Sequence, residues 1–152
     1  MQDTPLRNHS YDSRPQQAEM QWTEGKMKYL CLVYQDEQML KSLPPSEYDA
    51  LVAETLAYDA EIRLSGHYVC SSALQYVESA TSIRVQGDRL AITDGPFVET
   101  REQIGGYILI EARDLNEAIR VASRMPPARI GGIEIRPVME LSNQCSTADV
   151  TR

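Results

Sequence analysis

From Met27 to about Leu141 the chain alternates short apolar runs with two stretches of helical period, and Pro or Gly punctuates almost every junction. That order limits the fold more than any other feature. The run MKYLCLVY begins at Met27, and residues 28 to 35 read as a buried strand. Pro44-Pro45 then breaks the chain, and Ser46 with Asp49 offers an imperfect capping box to a helix that Gly66 would end. Tyr48, Leu51, Val52, Thr55, Tyr58 and Ile62 share one side of that helix, which predicts a single packing face. Residues 67 to 77 read as a second strand, and TSIRVQ and RLAITD flank Gly87-Asp88 as a short hairpin. YILIEA, after Gly105-Gly106, is another strand. Asp114 then caps a helix with Leu115, Ala118, Ile119 and Ala122 on its apolar side, stopped by Pro126-Pro127. Gly131-Gly132 leads into IEIRPVMEL, the last strand.

The order is β-α-β, hairpin, β-α-β, which predicts an α+β chain of the ferredoxin-like βαββαβ plan with an extra β-hairpin. Two helices can cover only one face of such a sheet. The first strand and YILIEA carry apolar residues on both faces, so the second face needs a cover, and a homodimer with sheet against sheet supplies it. Residues 1–26 contain Pro5 and Pro15 and no period, and are expected to be a poorly structured N-terminal extension. Residues 27–141 form the folding unit, and the small polar residues 142–152 are expected to be a frayed tail. Met27 itself could be an alternative start.

Charge narrows the partners. The 152 residues hold 15 Lys and Arg against 22 Asp and Glu, a formal charge of -7, and no basic cluster interrupts that excess. A nucleic-acid binder needs a positive face, so nucleic acid is not expected as a direct partner. No apolar run approaches a membrane span and no secretory pattern opens the chain, which predicts a cytoplasmic protein. Cys31, Cys70 and Cys145 are odd in number and lack a C-x-x-C, so neither a disulfide framework nor a metal site is expected. Cys31 and Cys70 are expected to be small buried apolar residues. No cofactor is expected.

The chemistry-bearing residues gather in DGPFVETREQIGG, residues 94 to 106. Pro96 stiffens the turn after Asp94, whose carboxylate either caps that turn or faces a cleft as a general base or as the orienter of a histidine. Phe97, the one phenylalanine of the chain, either plugs the loop onto the core or forms a ligand wall. Glu99, Thr100 and Glu102 suit either a hydrogen-bonded ligand or a solvated loop, and Arg101 reads as a surface ion pair. His67 is the sole histidine of the patterned region and is either an acid–base partner for Asp94 or a satisfied structural residue. Tyr34, ending the first strand, either donates to a ligand or sits half-buried in the sheet.

The run Asp94-Gly95-Pro96-Phe97, with Glu99-Thr100 and Glu102, resembles the DGPF signature of the YCII-related (YciI-like) family. The likeness extends from MKYLCLVY through TDGPFVETREQIGGYILIEARDLNEAI to IEIRPVMEL. The resemblance implies a dimeric α-β barrel of ferredoxin-like subunits. It also implies, for some relatives, lyase or dehydrochlorinase-type chemistry by a His and Asp pair, and for DGPF proteins an association with extracytoplasmic-function sigma factors. In the enzymatic relatives the histidine lies near the first strand, whereas here that strand ends Tyr34-Gln35-Asp36. Two main expectations therefore stand side by side. One is a small polar molecule bound in a cleft beside the DGPF loop, with Asp94 and His67 doing lyase-like work without metal and Tyr34, Phe97, Glu99 and Thr100 holding the ligand. The other is a non-catalytic regulatory or interaction module. A third is a cleft that binds an apolar metabolite without turnover.

Overall fold

The computed structural model describes residues 25–140. The expected N-terminal extension and frayed tail fall outside them, except Gly25 and Lys26, whose ammonium donates to the Gly66 carbonyl at 3.1 Å.

Strand β1 (Met27–Gln35) leads into a short helix α1 (Glu37–Ser42) and then the long helix α2 (Pro45–Leu64). Strand β2 (Tyr68–Ala73), a ribbon of β3 (Thr81–Gln86) and β4 (Arg89–Asp94), β5 (Gln103–Ala112), helix α3 (Leu115–Ala122) and β6 (Gly131–Pro137) follow. β2, β5, β1 and β6 lie side by side in that order in one antiparallel sheet, while β3 and β4 pair with each other. With both long helices packed through the residues buried with Tyr29, Cys31, Ile108, Ile110 and Ala112, this is an α+β arrangement consistent with the ferredoxin-like plan. Among the described residues no helix is long and apolar enough to cross a membrane.

Local chemistry sets the boundaries. Helix α1, which the sequence pattern did not suggest, forms because the Asp36 carboxylate accepts from the Gln38 and Met39 N–H groups at 3.0 and 3.2 Å. The expected capping box at Ser46 does not form. Helix α2 begins one residue earlier, at Pro45, where the fixed φ suits a first turn and the missing N–H costs nothing; the Pro44 carbonyl accepts from Glu47 and Tyr48. At its other end Gly66 takes φ +73°, and the His67 and Gly66 N–H groups return to the carbonyls of Ile62 and Arg63 at 2.9 and 3.2 Å. β2 stops at Ala73 instead of residue 77, because the Glu37 carboxylate takes the Val77 N–H at 2.7 Å and the chain turns there in a 3₁₀ turn, Val77–Ser79. β6 begins at Gly131 rather than after the glycine pair: a Cβ on Gly131 would lie 2.0 Å from the Tyr34 carbonyl, so only glycine lets β6 come this close to β1.

The core joins both helices to one sheet face. Tyr58 and Ile62 of α2 are 8% and 2% exposed, and the Tyr58 hydroxyl donates to the Val121 carbonyl of α3 at 2.8 Å. That bond turns α3 so that Ala118, Val121 and Ala122 are buried, whereas Leu115 and Ile119, expected on the packing side, are largely exposed. Cys31 is fully buried, and burial pushes its thiol up to about 11. Cys70, expected to be buried too, is exposed, because it pairs with Leu109 on the sheet face away from the helices.

Candidate functional site

Although Tyr48, Leu51, Val52 and Thr55 share one side of α2 with Tyr58 and Ile62, only Tyr58 and Ile62 reach the core. The first two turns of the helix stand off the sheet. Between them lies a cavity of about 620 Å³, floored by Val33, Gly105, Gly106 and Ile108 and closed at its sides by residues 71–76, Leu40, Pro127 and Ile130. Its size falls within the roughly 300–1,000 Å³ of small-molecule sites. Three of its features follow from the sequence locally. Pro44-Pro45 starts α2 at a distance from β1, α1 fills one side, and the Glu37 grip on Val77 holds the loop after β2 over the opening.

Most of the lining surface is apolar, and Asp59 and Glu78 are its charged side chains. Asp59 projects from α2 into the cavity wall, and its Oδ2 accepts from Ser71 Oγ at 2.9 Å. The Ser71 hydroxyl lies 2.9 Å from the Tyr68 hydroxyl, so the three side chains form a relay: Tyr68 donates to Ser71, and Ser71 donates to Asp59. The other carboxylate oxygen, Oδ1, is buried and has no hydrogen-bond partner. Shielded from solvent in this way, Oδ1 costs the fold about 1–3 kcal/mol. The hydroxyl of Thr55, one turn earlier, is already used on the Leu51 carbonyl at 2.8 Å.

A second, more open hollow of about 650 Å³ lies beside the DGPF loop and is lined by Tyr34, Asp36, Met39, Thr100, Arg101, Glu102 and Ile130. Arg101 donates to Asp36 at 2.8 Å and, with the Met39 and Gln38 N–H groups, holds that carboxyl below its usual range. The expected surface ion pair of Arg101 is therefore a tie between the loop and the cap of α1. Tyr34 bonds to Glu134, which raises its phenol above the usual value. Thr100 turns inward on its own loop, donating to the Glu102 carbonyl at 2.6 Å, and Gln103 donates to the Thr100 carbonyl at 2.8 Å.

The remaining residues singled out from the sequence lie elsewhere. His67 precedes β2, where its Nδ1 is 2.8 Å from Ser65 Oγ and its Nε2 is 3.6 Å from Glu117. Glu117 is itself lowered to about 2, chiefly by the Arg113 side chain and the Arg113 N–H. Asp94 ends β4, exposed, with Thr81 as its strand partner. The chain beyond it is held to β3 by Gly95 N–H donating to the Ala80 carbonyl at 2.7 Å and by Ser82 Oγ donating to the Gly95 carbonyl at 2.8 Å. Phe97 is not a plug. It is 67% exposed, because those bonds fasten the turn to the ribbon and not to the core, and the Arg84 guanidinium stacks 4.8 Å from its ring. Glu99 is exposed. The structure thus brings Tyr34 and Thr100 to one hollow and holds His67 and Asp94 by separate partners, while none of the six lines the cavity under α2. Among the described residues no three His, Cys, Asp or Glu side chains converge as metal ligands would.

The central residue, Asp59, went unnoticed in the sequence, yet a signal was there. On the helical wheel it falls between Tyr48 and Val52, an acidic residue on an otherwise apolar packing face.

An uncharacterized protein of Rhizobium meliloti (strain 1021) is similar, with 28% identity over 114 residues, covering 74% of this chain and 92% of that protein. The YCII-related domain family matches residues 27–142, so the match takes in the sheet, both long helices and the DGPF loop alike. The chain belongs to the YCII-related family.

Proposed function

We propose that the protein binds a small molecule in the cavity between α2 and the sheet, with Asp59 as the polar anchor. The observation that carries this reading is a largely apolar cavity of about 620 Å³ with the Asp59 side chain in its wall. The binding site thereby moves from the DGPF loop to the far side of α1, and the loop acts as a brace, through Arg101 and Asp36. Binding is better supported than lyase-like turnover, because His67 is engaged by Ser65 and Glu117 while Asp94 sits at the end of the ribbon. The sheet face away from the helices carries the cross-strand pairs Leu30 with Leu109 and Leu32 with Tyr107 and fits a second copy of the chain, so the binding unit is a homodimer.

The test is a thermal-shift screen of a metabolite library against wild type and Thr55→Trp, a substitution that fills the cavity. Ligands should raise the wild-type melting temperature through binding linkage and leave Thr55→Trp unmoved. Equal stabilisation of both proteins overturns the site. A monomer in sedimentation at micromolar concentration overturns the dimer.

A second reading rests on the ribbon. Ile83 pairs with Ile92 and Val85 with Leu90 on one of its faces, and all four are exposed. Such a face suits an interaction module, including a link to a sigma factor, and protection of these residues from hydrogen exchange by a partner would favour it.

A further inference from the structure

Strand β2 is an edge of the sheet: β5 pairs with one side of it and, among the described residues, no strand pairs with the other. The Leu74 N–H reaches the Gly105 carbonyl at 2.8 Å, so by antiparallel alternation the backbone groups of Ser71 and Ala73 point outward from the sheet. The side chains of these two residues turn toward α2 and line the cavity. Val52 and Leu56 of α2 and Leu74 just past β2 line it too, yet they are 41%, 64% and 48% exposed. A bare strand edge beside an uncovered apolar row is the kind of groove that takes an added strand.

The chain enters the fold beside this groove. The Lys26 ammonium bonds to the carbonyl of Gly66, two residues before β2, and Gly25 takes φ +98°. The seven residues before Gly25 are Ala18-Glu19-Met20-Gln21-Trp22-Thr23-Glu24, in which Ala18, Met20 and Trp22 alternate with polar residues as a half-buried strand does. The expectation of an extension without period therefore holds only as far as residue 17. Seven residues in a strand span about 23 Å, enough to run the length of the six-residue β2.

We propose that residues 18–24 dock in this groove as a fifth strand of the sheet, antiparallel to β2, with their apolar side chains under α2. The direction follows from the connection, since the segment must end at Gly25, beside the start of β2. A register with Met20 opposite Ser71 and Ala18 opposite Ala73 joins the outward backbone groups in pairs and turns Ala18, Met20 and Trp22 to the helix side. A slip of one residue would turn all three to solvent, so burial selects the register. Trp22 then lies beside the start of β2, where Arg63 stacks 4.2 Å from the centre of the Tyr68 ring. Glu19, Gln21 and Thr23 share the other face with Cys70 and Ser72, both exposed. Docked in this way, the segment walls the cavity between Leu56 and Leu74. The docking goes beyond the reading of the cavity as a ligand site and does not depend on it.

Trp22 is the one tryptophan of the chain, so fluorescence of the full-length protein reports on the segment directly. In wild type its emission should lie to the blue of its position in denaturing urea, and acrylamide should quench it poorly. Met20→Asp, outside the folding unit, and Leu56→Glu, in the groove, should move both readouts to their urea values. Ile119→Glu, a change on the exposed side of α3, should move neither. Hydrogen exchange reads the backbone: the Ser71 and Ala73 amides should exchange about tenfold faster in Met20→Asp than in wild type, while the Leu74 amide, bonded to Gly105, keeps its rate. The docking is overturned if wild-type Trp22 emits and quenches as in urea, if Ile119→Glu releases it and Leu56→Glu does not, or if Met20→Asp leaves the Ser71 and Ala73 amides unchanged. Protection lost on dilution would assign the strand to a second copy and overturn its placement within one chain.

Discussion

The two halves of α2 have the same periodicity and opposite fates. Toward the C-terminus, Tyr58 and Ile62 are buried, the Tyr58 hydroxyl is bonded to α3, and Gly66 closes the helix in a left-handed cap. Toward the N-terminus, Tyr48 and Val52 are each 41% exposed and the face overhangs a cavity. A helix that packed along its whole length would have no room for a ligand. One that packed nowhere would not hold Asp59 in place. The contrast shows that periodicity marks which side of a helix faces inward, while contact depends on what the sheet and its neighbours bring to meet it.

The largest effect that separates the halves is core truncation. Ile62→Ala should cost about 2–5 kcal/mol, and Val52→Ala about 0.5 kcal/mol, measured by urea denaturation; equal losses would mean that α2 packs uniformly and that the cavity is closed in solution. Next is the hydrogen bond between the helices. Tyr58→Phe should cost about 1 kcal/mol, since it removes the bond between the helices while the Val121 carbonyl keeps the Arg124 N–H, whereas Tyr48→Phe should leave the urea midpoint unchanged. Gly66→Ala tests the anchored end from the backbone, because alanine at φ +73° is strained by roughly 1–2 kcal/mol; an unchanged midpoint would show that the cap rearranges freely.

The smallest effect is in the pH profile of the same end. Glu117, beside His67, has a folded-state value lowered from 4.5 to about 2, so its contribution to stability is complete above pH 4.5 and is lost as pH falls from there toward 2. Wild type should therefore lose more stability across that window than Glu117→Gln, with the two curves parallel above it. Parallel curves through the whole window would remove the ion pair from the account of how this end is anchored.

Much of the fold was legible because its signals are local. The strand of residues 28 to 35, the glycine stop at Gly66 and the Asp114 cap, whose carboxylate accepts from Glu117 N–H at 2.8 Å, each depend on a few neighbouring residues. The same holds for the turn at Gly87-Asp88 between β3 and β4. Boundaries set by distant groups were not legible: β2 ends at Ala73, and the chain beyond it turns where Glu37 captures Val77, forty residues away. The candidate site was less legible still. Tyr34 and Thr100 do share one hollow, but the turn after Asp94 is held to the ribbon and Arg101 is tied to Asp36. Asp59, Ser71 and Tyr68 carry no motif and acquire their meaning by meeting across a helix and a strand.

By itself the sequence determined the order of the main strands and long helices, the Gly66 stop and the acidic balance, because propensity, capping and charge act over a turn or two of chain. Only the tertiary structure decided that half of the α2 face would stand clear of the sheet, that Phe97 would lie outside and that one oxygen of Asp59 would be buried without a partner. Those outcomes depend on how the helices tilt on the sheet and on which side chains from remote segments fill the gap. That balance is struck by packing and hydrogen-bond satisfaction over the whole fold, and no short stretch of sequence records it.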